Sequence, residues 1–134
     1  GLDRSGCVAI TPDQEQAANY LLAHTKRNKK IYVGNSRHDA LVISDAGLYF
    51  LADRPAATHM TELNPGVVTS AAFQTEVISE LETQHVNHVV LVDLPTGDEP
   101  NLSSVSSGAH QLDQYIRAAF HNTQTFGDYQ IWER

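Results

Sequence analysis

The chain has 134 residues, of which 41% are hydrophobic and 19% charged, a composition typical of a folded globular domain rather than a disordered chain. This length suits one domain with its own hydrophobic core. The formal net charge of −7 argues against a general nucleic-acid-binding protein, because such proteins need a cationic surface to displace counterions from phosphate. We therefore expect no nucleic-acid partner.

Two further observations exclude classes of structure. Cys7 is the only cysteine, which excludes an internal disulfide and any metal cluster built from cysteines. No apolar run approaches the roughly 20 residues that a membrane-spanning helix needs, and no signal peptide is visible. We expect residues 1–134 to form a single soluble domain.

The first predicted element is a helix that starts at Thr11-Pro12-Asp13. Thr is a preferred capping residue, Pro suits the first helical position, and an acidic residue in the first turn favours the helix dipole. The helix ends near the only basic cluster, Lys26–Lys30. Since cations stabilise the carboxyl end of a helix, we interpret this cluster as a solvated helix end rather than a phosphate-binding or anionic-lipid patch. The expected apolar face consists of Ala17, Ala18, Leu21 and Leu22.

The middle of the chain is irregular. Residues 30–34 (KIYVG) predict a short buried strand that ends at Gly34. Leu41–Ile43 suits a strand, Leu48–Ala52 suits a turn of helix, and Ala57–Met60 suits another short strand.

The second half has clearer signals. Ser70 can cap a helix that continues to about Thr83. Residues 87–93 (NHVVLVD) are apolar at consecutive positions and predict a strand covered on both faces. A loop follows to Ser107, and Ser106 or Ser107 is expected to cap a third helix. The chain closes with a hairpin around Gly127-Asp128, a pair that suits tight primed turns.

This order of elements predicts an α/β fold. Strand–helix–strand units favour parallel pairing with a right-handed crossover. We expect a small three-layer, Rossmann-like sandwich with a mostly parallel sheet, to which the C-terminal hairpin adds an antiparallel edge.

Polar side chains follow two of the predicted strands. In open parallel sheets, ligands bind beyond the carboxyl ends of the strands. The candidate ligand-binding residues there are Asn35, Ser36, Arg37, Arg54 and Asp93, together with Asn101 from a loop that also carries Asp98, Glu99, Ser103 and Ser104. Such groups suit a polyhydroxylated ligand such as a sugar. The alternative is that they cap helices and satisfy loop backbones.

A serine hydrolase is a second possibility. The run from Gly34 to His38 resembles a nucleophile elbow, and Asp93 with His110 or His121 would complete the order Ser36, Asp, His. However, His38 stands where the elbow needs a second small residue, so we favour a polar loop. The histidines show no metal-binding spacing and no phosphate-binding glycine motif occurs, so we expect neither a metal nor a cofactor.

From about Ile10 to Arg134, a series of short motifs occurs in a characteristic order. The motifs are IYVGN, LYFLADRPAATHMTEL followed by NPG, VVLVD, EPN with a serine-rich loop, LDQYI and FGDYQIWER. In this order and spacing, the chain resembles the carboxyl-terminal soluble part of polytopic membrane glycosyltransferases similar to the dolichyl-phosphate-mannose–protein mannosyltransferases (family 39-like).

The resemblance implies a location and a set of partners. Those enzymes use lipid-phosphate-linked sugars as donors and carry their catalytic acid near the first membrane spans, a region outside this sequence. It therefore implies a non-catalytic, extracytoplasmic domain whose residues 1–10 link it to a membrane-embedded part of the same polypeptide. The other implied partner is a glycan or protein acceptor. A purely structural or protein-interaction module is the third hypothesis. No catalytic residue is carried over, and Asp53-Arg54 is expected to hold the loop before Pro55.

Overall fold

The computed structural model describes residue 6 and residues 9–40, 45–60, 68–94 and 105–134. The described elements, in chain order, are α1 (Pro12–His24), β1 (Tyr32–Asn35), α2 (Gly47–Leu51), α3 (Ala71–Thr83), β2 (His88–Val92), α4 (Gln111–Ala119), β3 (His121–Phe126) and β4 (Tyr129–Glu133).

Two of the three predicted helix caps are confirmed. The Thr11 hydroxyl accepts a hydrogen bond from the Gln14 N–H at 3.2 Å, and the Ser70 hydroxyl accepts one from the Phe73 N–H at 3.2 Å. The predicted cap of α4 is wrong, because this helix begins after His110, whose side chain makes no capping bond. The Ser107 hydroxyl instead accepts a hydrogen bond from the Ala109 N–H within the preceding turn.

The sheet has the strand order β1-β2-β4-β3. β1 pairs with β2 in parallel, whereas β2–β4 and β3–β4 are antiparallel. The α/β class and the terminal hairpin are confirmed, but the mostly parallel, Rossmann-like sheet is not found among the described residues. The two-residue turn at Gly127-Asp128 makes β3 and β4 antiparallel, and β4 also pairs antiparallel with β2, so β1–β2 is the one parallel strand pair in the described sheet. Gly127 has a φ of +58°, a conformation that favours glycine.

Apolar residues pack on both faces of the sheet. Because side chains alternate along a strand, Val90 and Val92 pack in one cluster with α1 and α2, and Val89 and Leu91 pack in another with α3 and α4. This explains the continuous apolar run in β2, as predicted. Leu22 is 38% exposed and lies outside the core, contrary to prediction.

Of the elements predicted between β1 and α3, one is confirmed and one is wrong. The helical turn at Leu48–Ala52 is confirmed as α2, while Leu41–Ile43 lies outside the described residues. The strand predicted at Ala57–Met60 is wrong, since only Ala56 makes an isolated bridge, to Ile31. None of the helices in the described ranges is long and apolar enough to cross a bilayer.

Candidate ligand site at the carboxyl ends of β1 and β2

The parallel pairing of β1 and β2 brings two of the predicted site residues into contact. Asn35 lies opposite Val92, and the next N–H, that of Ser36, donates to the Val92 carbonyl at 2.9 Å. The Ser36 hydroxyl then donates to Oδ1 of Asp93 at 3.1 Å. Asn35 is buried, whereas Ser36 and Asp93 are accessible at this edge. Ser36 and Asp93 therefore lie side by side at this edge of the sheet (the rim), and their role in ligand binding stays a prediction.

Arg37 follows Ser36 on the loop after β1 and is held there by hydrogen bonds. Its guanidinium donates two hydrogen bonds to Asp39, at 2.8 and 2.7 Å. Asp39 is buried and also accepts from the Ser106 hydroxyl. These donors, first the Arg37 guanidinium, hold the pKa of the Asp39 carboxyl well below its usual range. Asp39 is therefore an anion that fixes Arg37 beside the cleft.

Arg54 does not lie at this rim. Its guanidinium donates to the carbonyls of Leu22 and Thr25, to the Thr25 hydroxyl, and to the carbonyls of Ala52 and Asp53. These partners lie at the carboxyl end of α1 and beside the amino end of β1. Arg54 thus holds its loop against α1, while the Asp53 carboxylate pairs with Arg27 at 3.0 Å. Asn101, like Asp98, Glu99, Ser103 and Ser104, lies outside the described residues.

A buried chain of hydrogen-bonded polar groups fixes the position of the loop that follows β1. Tyr32 donates its hydroxyl hydrogen to Nε2 of His38 at 2.8 Å, and Nδ1 of His38 donates to Oδ1 of Asp113 at 2.7 Å. This assignment follows from the carboxylate, which can only accept from Nδ1. The His38 backbone N–H also donates to Asp113. All three residues are buried, so the loop after β1 is fixed to α4.

Gly34 provides the space for this chain of hydrogen bonds. A Cβ at position 34 would lie 2.6 Å from the Tyr32 hydroxyl oxygen and 2.7 Å from Nε2 of His38. Real Cβ atoms essentially never approach other atoms so closely. Gly34 is therefore explained by packing around Tyr32 and His38, and not by a nucleophile elbow.

Gln74 joins the rim to both helices of the same face. Its side-chain N–H groups donate to the carbonyls of His38, Thr69 and Ala109, and its side-chain oxygen accepts from the Leu112 N–H. Gln74 is fully buried, so these bonds replace the water that the groups lose on folding. One side chain thereby connects α3, α4 and the loop after β1.

An open cleft lies above this support. We call it the rim cleft; its volume is about 390 Å³. It offers hydrogen-bond donors from the two arginines and acceptors from the two carboxylates, which suits a ligand with several hydroxyl groups. The lining residues are Ser36, Arg37, Asp39, His110, Asp113, Gln114 and Arg117.

Sequence reasoning identified the strand-end residues but missed the α4 side of the cleft. His38, Asp39 and Asp113 form the buried support, yet His38 and Asp113 are 75 positions apart. The weak signal was the run Ser-Arg-His-Asp after a strand. Nothing local pairs that run with an aspartate in a later helix.

Two groups of side chains in the described ranges bring possible metal ligands together. In the rim cleft, ligand atoms of Asp39, His110 and Asp113 lie within 4.8 Å of one another. A cation there would compete with the Arg37 and His38 hydrogen bonds. His59, Glu76 and Glu80 form the other group, on the exposed side of α3. The expectation that no metal binds stays a prediction.

The arrangement expected of a serine hydrolase is not assembled at Ser36. The hydroxyl donates directly to Asp93, with no histidine between them. His121 belongs to β3, at the opposite edge of the sheet from β1. His110 lines the rim cleft, but the buried Asp113 pairs with His38.

The described elements thus define a mixed α/β domain with a polar cleft at the carboxyl ends of its parallel strands. Neither the comparison with protein-family models nor that with curated proteins found a significant match. Among solved structures, the chain is similar to the C-terminal globular domain of an oligosaccharyltransferase from Archaeoglobus fulgidus. The TM-score is 0.50 at 13% identity, and the match covers 94% of this chain and 99% of that chain. At this identity the likeness shows a shared fold.

Proposed function

We propose that this chain is the non-catalytic, extracytoplasmic domain of a membrane glycosyltransferase with a lipid-phosphate-sugar donor, and that its rim cleft recognises a glycan or a glycan acceptor. The observation that carries the recognition role is the rim cleft itself. Arg37 and Arg117 supply donors, while Asp39 and Asp113 supply acceptors, around an open volume of about 390 Å³. That volume lies within the range of about 300–1,000 Å³ typical of small-molecule sites.

Two comparisons support the membrane parent. The neighbour of similar fold is a C-terminal globular domain of an oligosaccharyltransferase, and the match extends over nearly the whole of both chains. The motif order from IYVGN to FGDYQIWER resembles the family 39-like mannosyltransferases. Both point to a carboxyl-terminal domain in a glycosylation enzyme. The mannosyltransferase class, the anchored parent and the extracytoplasmic side are parts of this proposal.

The polar chain below the cleft supports a non-catalytic role. Tyr32, His38 and Asp113 have the order hydroxyl, imidazole and carboxylate that activates a nucleophile. However, Tyr32 is fully buried, and burial raises its pKa well above the ordinary value, so its hydroxyl stays protonated and unreachable. We assign this chain of groups a supporting role.

A purely structural role has one observation in its favour. Arg37 and Asp39 satisfy each other in a two-pronged pair, and Ser36 satisfies Asp93. A rim whose groups are already paired gains less from a ligand, because each new hydrogen bond replaces an existing one. Arg117 and Gln114 have no hydrogen bond to another side chain among the described contacts. They can therefore bind a ligand without losing an existing bond, and replacing them distinguishes the two roles.

Ligand titration tests the recognition role. The ¹⁵N-labelled domain is titrated with mannose and a mannose disaccharide, and amide shifts are mapped. We expect saturable shifts near Asn35, Ser36 and Asp93, lost in Gln114→Ala/Arg117→Gln and kept in Arg27→Gln at the other end of the sheet. Shifts that are absent, or equal in both variants, would favour the structural module.

The membrane parent has its own test. The gene is sequenced upstream of the codon for Gly1. A series of hydrophobic spans in the same reading frame supports the proposal, whereas a start codon adjacent to Gly1 overturns it. This result is independent of the sugar titration.

A further inference from the structure

A second cleft, at the amino ends of β1 and β2, has an unusual composition. Its volume is about 170 Å³, and we call it the basic cleft. All three lysines of the chain and three of its seven histidines line it, although the chain carries a net charge of −7. The lining residues are His24, Thr25, Lys26, Lys29, Lys30, His85, Asn87 and His88.

Three separate parts of the fold build the basic cleft. The end of α1 carries His24, the loop to β1 carries the lysines, and the α3–β2 turn with the start of β2 carries His85 and His88. Because β1 and β2 are parallel, their amino ends lie side by side. The Lys30 ammonium donates to the side-chain oxygen of Gln84 at 2.8 Å, which joins the two walls.

The lysines are not needed to cap α1. The Leu22 and Thr25 carbonyls accept from Arg54, and the Tyr20 carbonyl pairs with the His24 ring. Cations near a helix end are commonly explained by these carbonyls and by the helix dipole. Here buried Arg54 meets that need. Lys30 is held by Gln84, so the interpretation of Lys26–Lys30 as a solvated helix end leaves Lys26 and Lys29 without a structural role.

Few carboxylates neutralise the basic cleft. In the described part of the chain, neither Lys26 nor Lys29 has an ion pair or a side-chain hydrogen bond. Glu133 pairs with His88 at 2.7 Å, the Glu82 carboxylate interacts electrostatically with His85, and Arg27 outside the cleft pairs with Asp53. The ammonium groups of the neighbouring lysines repel one another, and a bound anion would reduce that repulsion.

We propose that the basic cleft binds the phosphate group of a phosphate ester. Lysine ammonium groups, the His85 imidazole and the Asn87 amide are donors that phosphate oxygens accept from. The ring nitrogens Nδ1 of His24 and Nε2 of His88 already bond to the Tyr20 carbonyl and to Glu133. The cleft is smaller than the roughly 300–1,000 Å³ of sites for drug-sized ligands, so it fits a phosphate group with a small substituent. The phosphate belongs to a small soluble ester or to a phospholipid headgroup.

This inference does not depend on the proposed function. The basic cleft lies at the opposite end of the parallel strand pair from the rim cleft, and the two share no lining residue. A sugar titration that fails at the rim cleft therefore leaves the basic cleft untouched, and the reverse also holds.

The first experiment titrates the ¹⁵N-labelled domain with glycerol 3-phosphate, with sodium chloride of equal ionic strength as the control. We expect saturable amide shifts around Lys26, Lys29 and Asn87. The variant Lys26→Gln/Lys29→Gln should weaken binding about tenfold or more, because two charges at the phosphate are removed. Arg27→Gln is the matched control, since Arg27 lies between the lysines but outside the cleft and is 83% exposed.

The second experiment identifies the source of the phosphate. Cosedimentation compares phosphatidylcholine vesicles with vesicles that also contain phosphatidylglycerol. Binding to the second type alone, lost in the lysine variant and kept in Arg27→Gln, identifies a lipid headgroup. Saturable glycerol 3-phosphate binding without vesicle binding identifies a soluble ester. No response to either probe, or equal losses in both variants, would overturn the proposal.

Discussion

The Tyr32 hydroxyl and Nε2 of His38 share a hydrogen bond of 2.8 Å, and both side chains are buried. Tyr32 belongs to β1, and His38 lies on the loop that carries Arg37 to the rim cleft. Because Asp113 holds the other ring nitrogen of His38, the orientation of this loop depends on both bonds. The site and the core are thus joined through one imidazole.

Tyr32→Phe should therefore destabilise the protein without changing its packing volume much. The variant leaves Nε2 of His38 buried without a donor, which costs about 1–3 kcal/mol of the free energy of unfolding. Urea unfolding measures this loss. Tyr20→Phe is the control, because the Tyr20 hydroxyl bonds Glu133 at a partly exposed position and its loss should cost less. Equal losses in the two variants would contradict the buried role of Tyr32.

Acid should weaken the same region. The Arg37 guanidinium lowers the pKa of Asp39; at Asp113 burial acts to raise the pKa, but hydrogen bonds from His38 outweigh it and lower the pKa. A lowered folded-state pKa adds stability that is present above the unfolded value, about 3.9, and is lost as pH falls toward the folded value. We expect the free energy of unfolding to decline below about pH 5.

Thermal unfolding between neutral and acidic pH measures this decline. Arg37→Gln removes the main cause of the low pKa of Asp39, so it should lower stability at pH 7 and flatten the dependence on pH. A variant whose pH profile stays parallel to that of the unmodified protein would show that this carboxylate is not the source.

Gly34→Ala should be strongly destabilising, although the change adds one methyl group. The new Cβ would meet the Tyr32 ring and hydroxyl and the His38 ring at 2.6–2.8 Å, so the hydrogen bond between them must move. Overpacking of this kind costs about 1–3 kcal/mol. Gly6→Ala is the control, because a Cβ there meets no atom within 4 Å. Urea midpoints compare the two, and a neutral Gly34→Ala would refute the close approach.

Local signals in the sequence predicted two of the three helix caps and the terminal turn, but not the cap of α4. Thr11 and Ser70 were recognisable as caps, since a capping hydroxyl acts on an N–H only three residues away. The turn at Gly127-Asp128 was recognisable because this residue pair suits tight turns, and Gly127 does take the left-handed conformation that such turns need. Strand order was not predictable in this way. The pairing of β4 with β2 joins segments about 40 positions apart and depends on which faces the helices cover.

In the candidate site, too, local positions were predicted from the sequence and long-range contacts were not. Ser36 and Asp93 were found because each directly follows a strand, and parallel strands bring such positions together. Arg54 was misplaced, since its partners at Leu22 and Thr25 are about 30 positions away, and all but the Thr25 hydroxyl are backbone carbonyls, which carry no sequence signature. Asp113 was missed because its partner, the His38 side chain, lies 75 positions away.

Arg54→Lys should cost more than a charge-conserving change normally does. The planar guanidinium makes five hydrogen bonds, to Thr25, Leu22, Ala52 and Asp53, and an ammonium group cannot reproduce that pattern. We expect a loss of about 2 kcal/mol or more, measured by urea unfolding. Arg27→Lys, at an exposed ion pair, should change stability by less than about 1 kcal/mol. Similar losses at both positions would contradict the anchoring role of Arg54.

Ser36→Ala should leave any esterase signal of the purified protein unchanged. The Ser36 hydroxyl donates to the Asp93 carboxylate, which holds the oxygen without a histidine to remove its hydrogen. A broad screen of activated esters compares the unmodified protein, Ser36→Ala and Asp93→Asn at equal concentration. We expect the same background hydrolysis in all three. Turnover that disappears in Ser36→Ala alone would make this chain an enzyme in its own right and would reverse the proposed non-catalytic role.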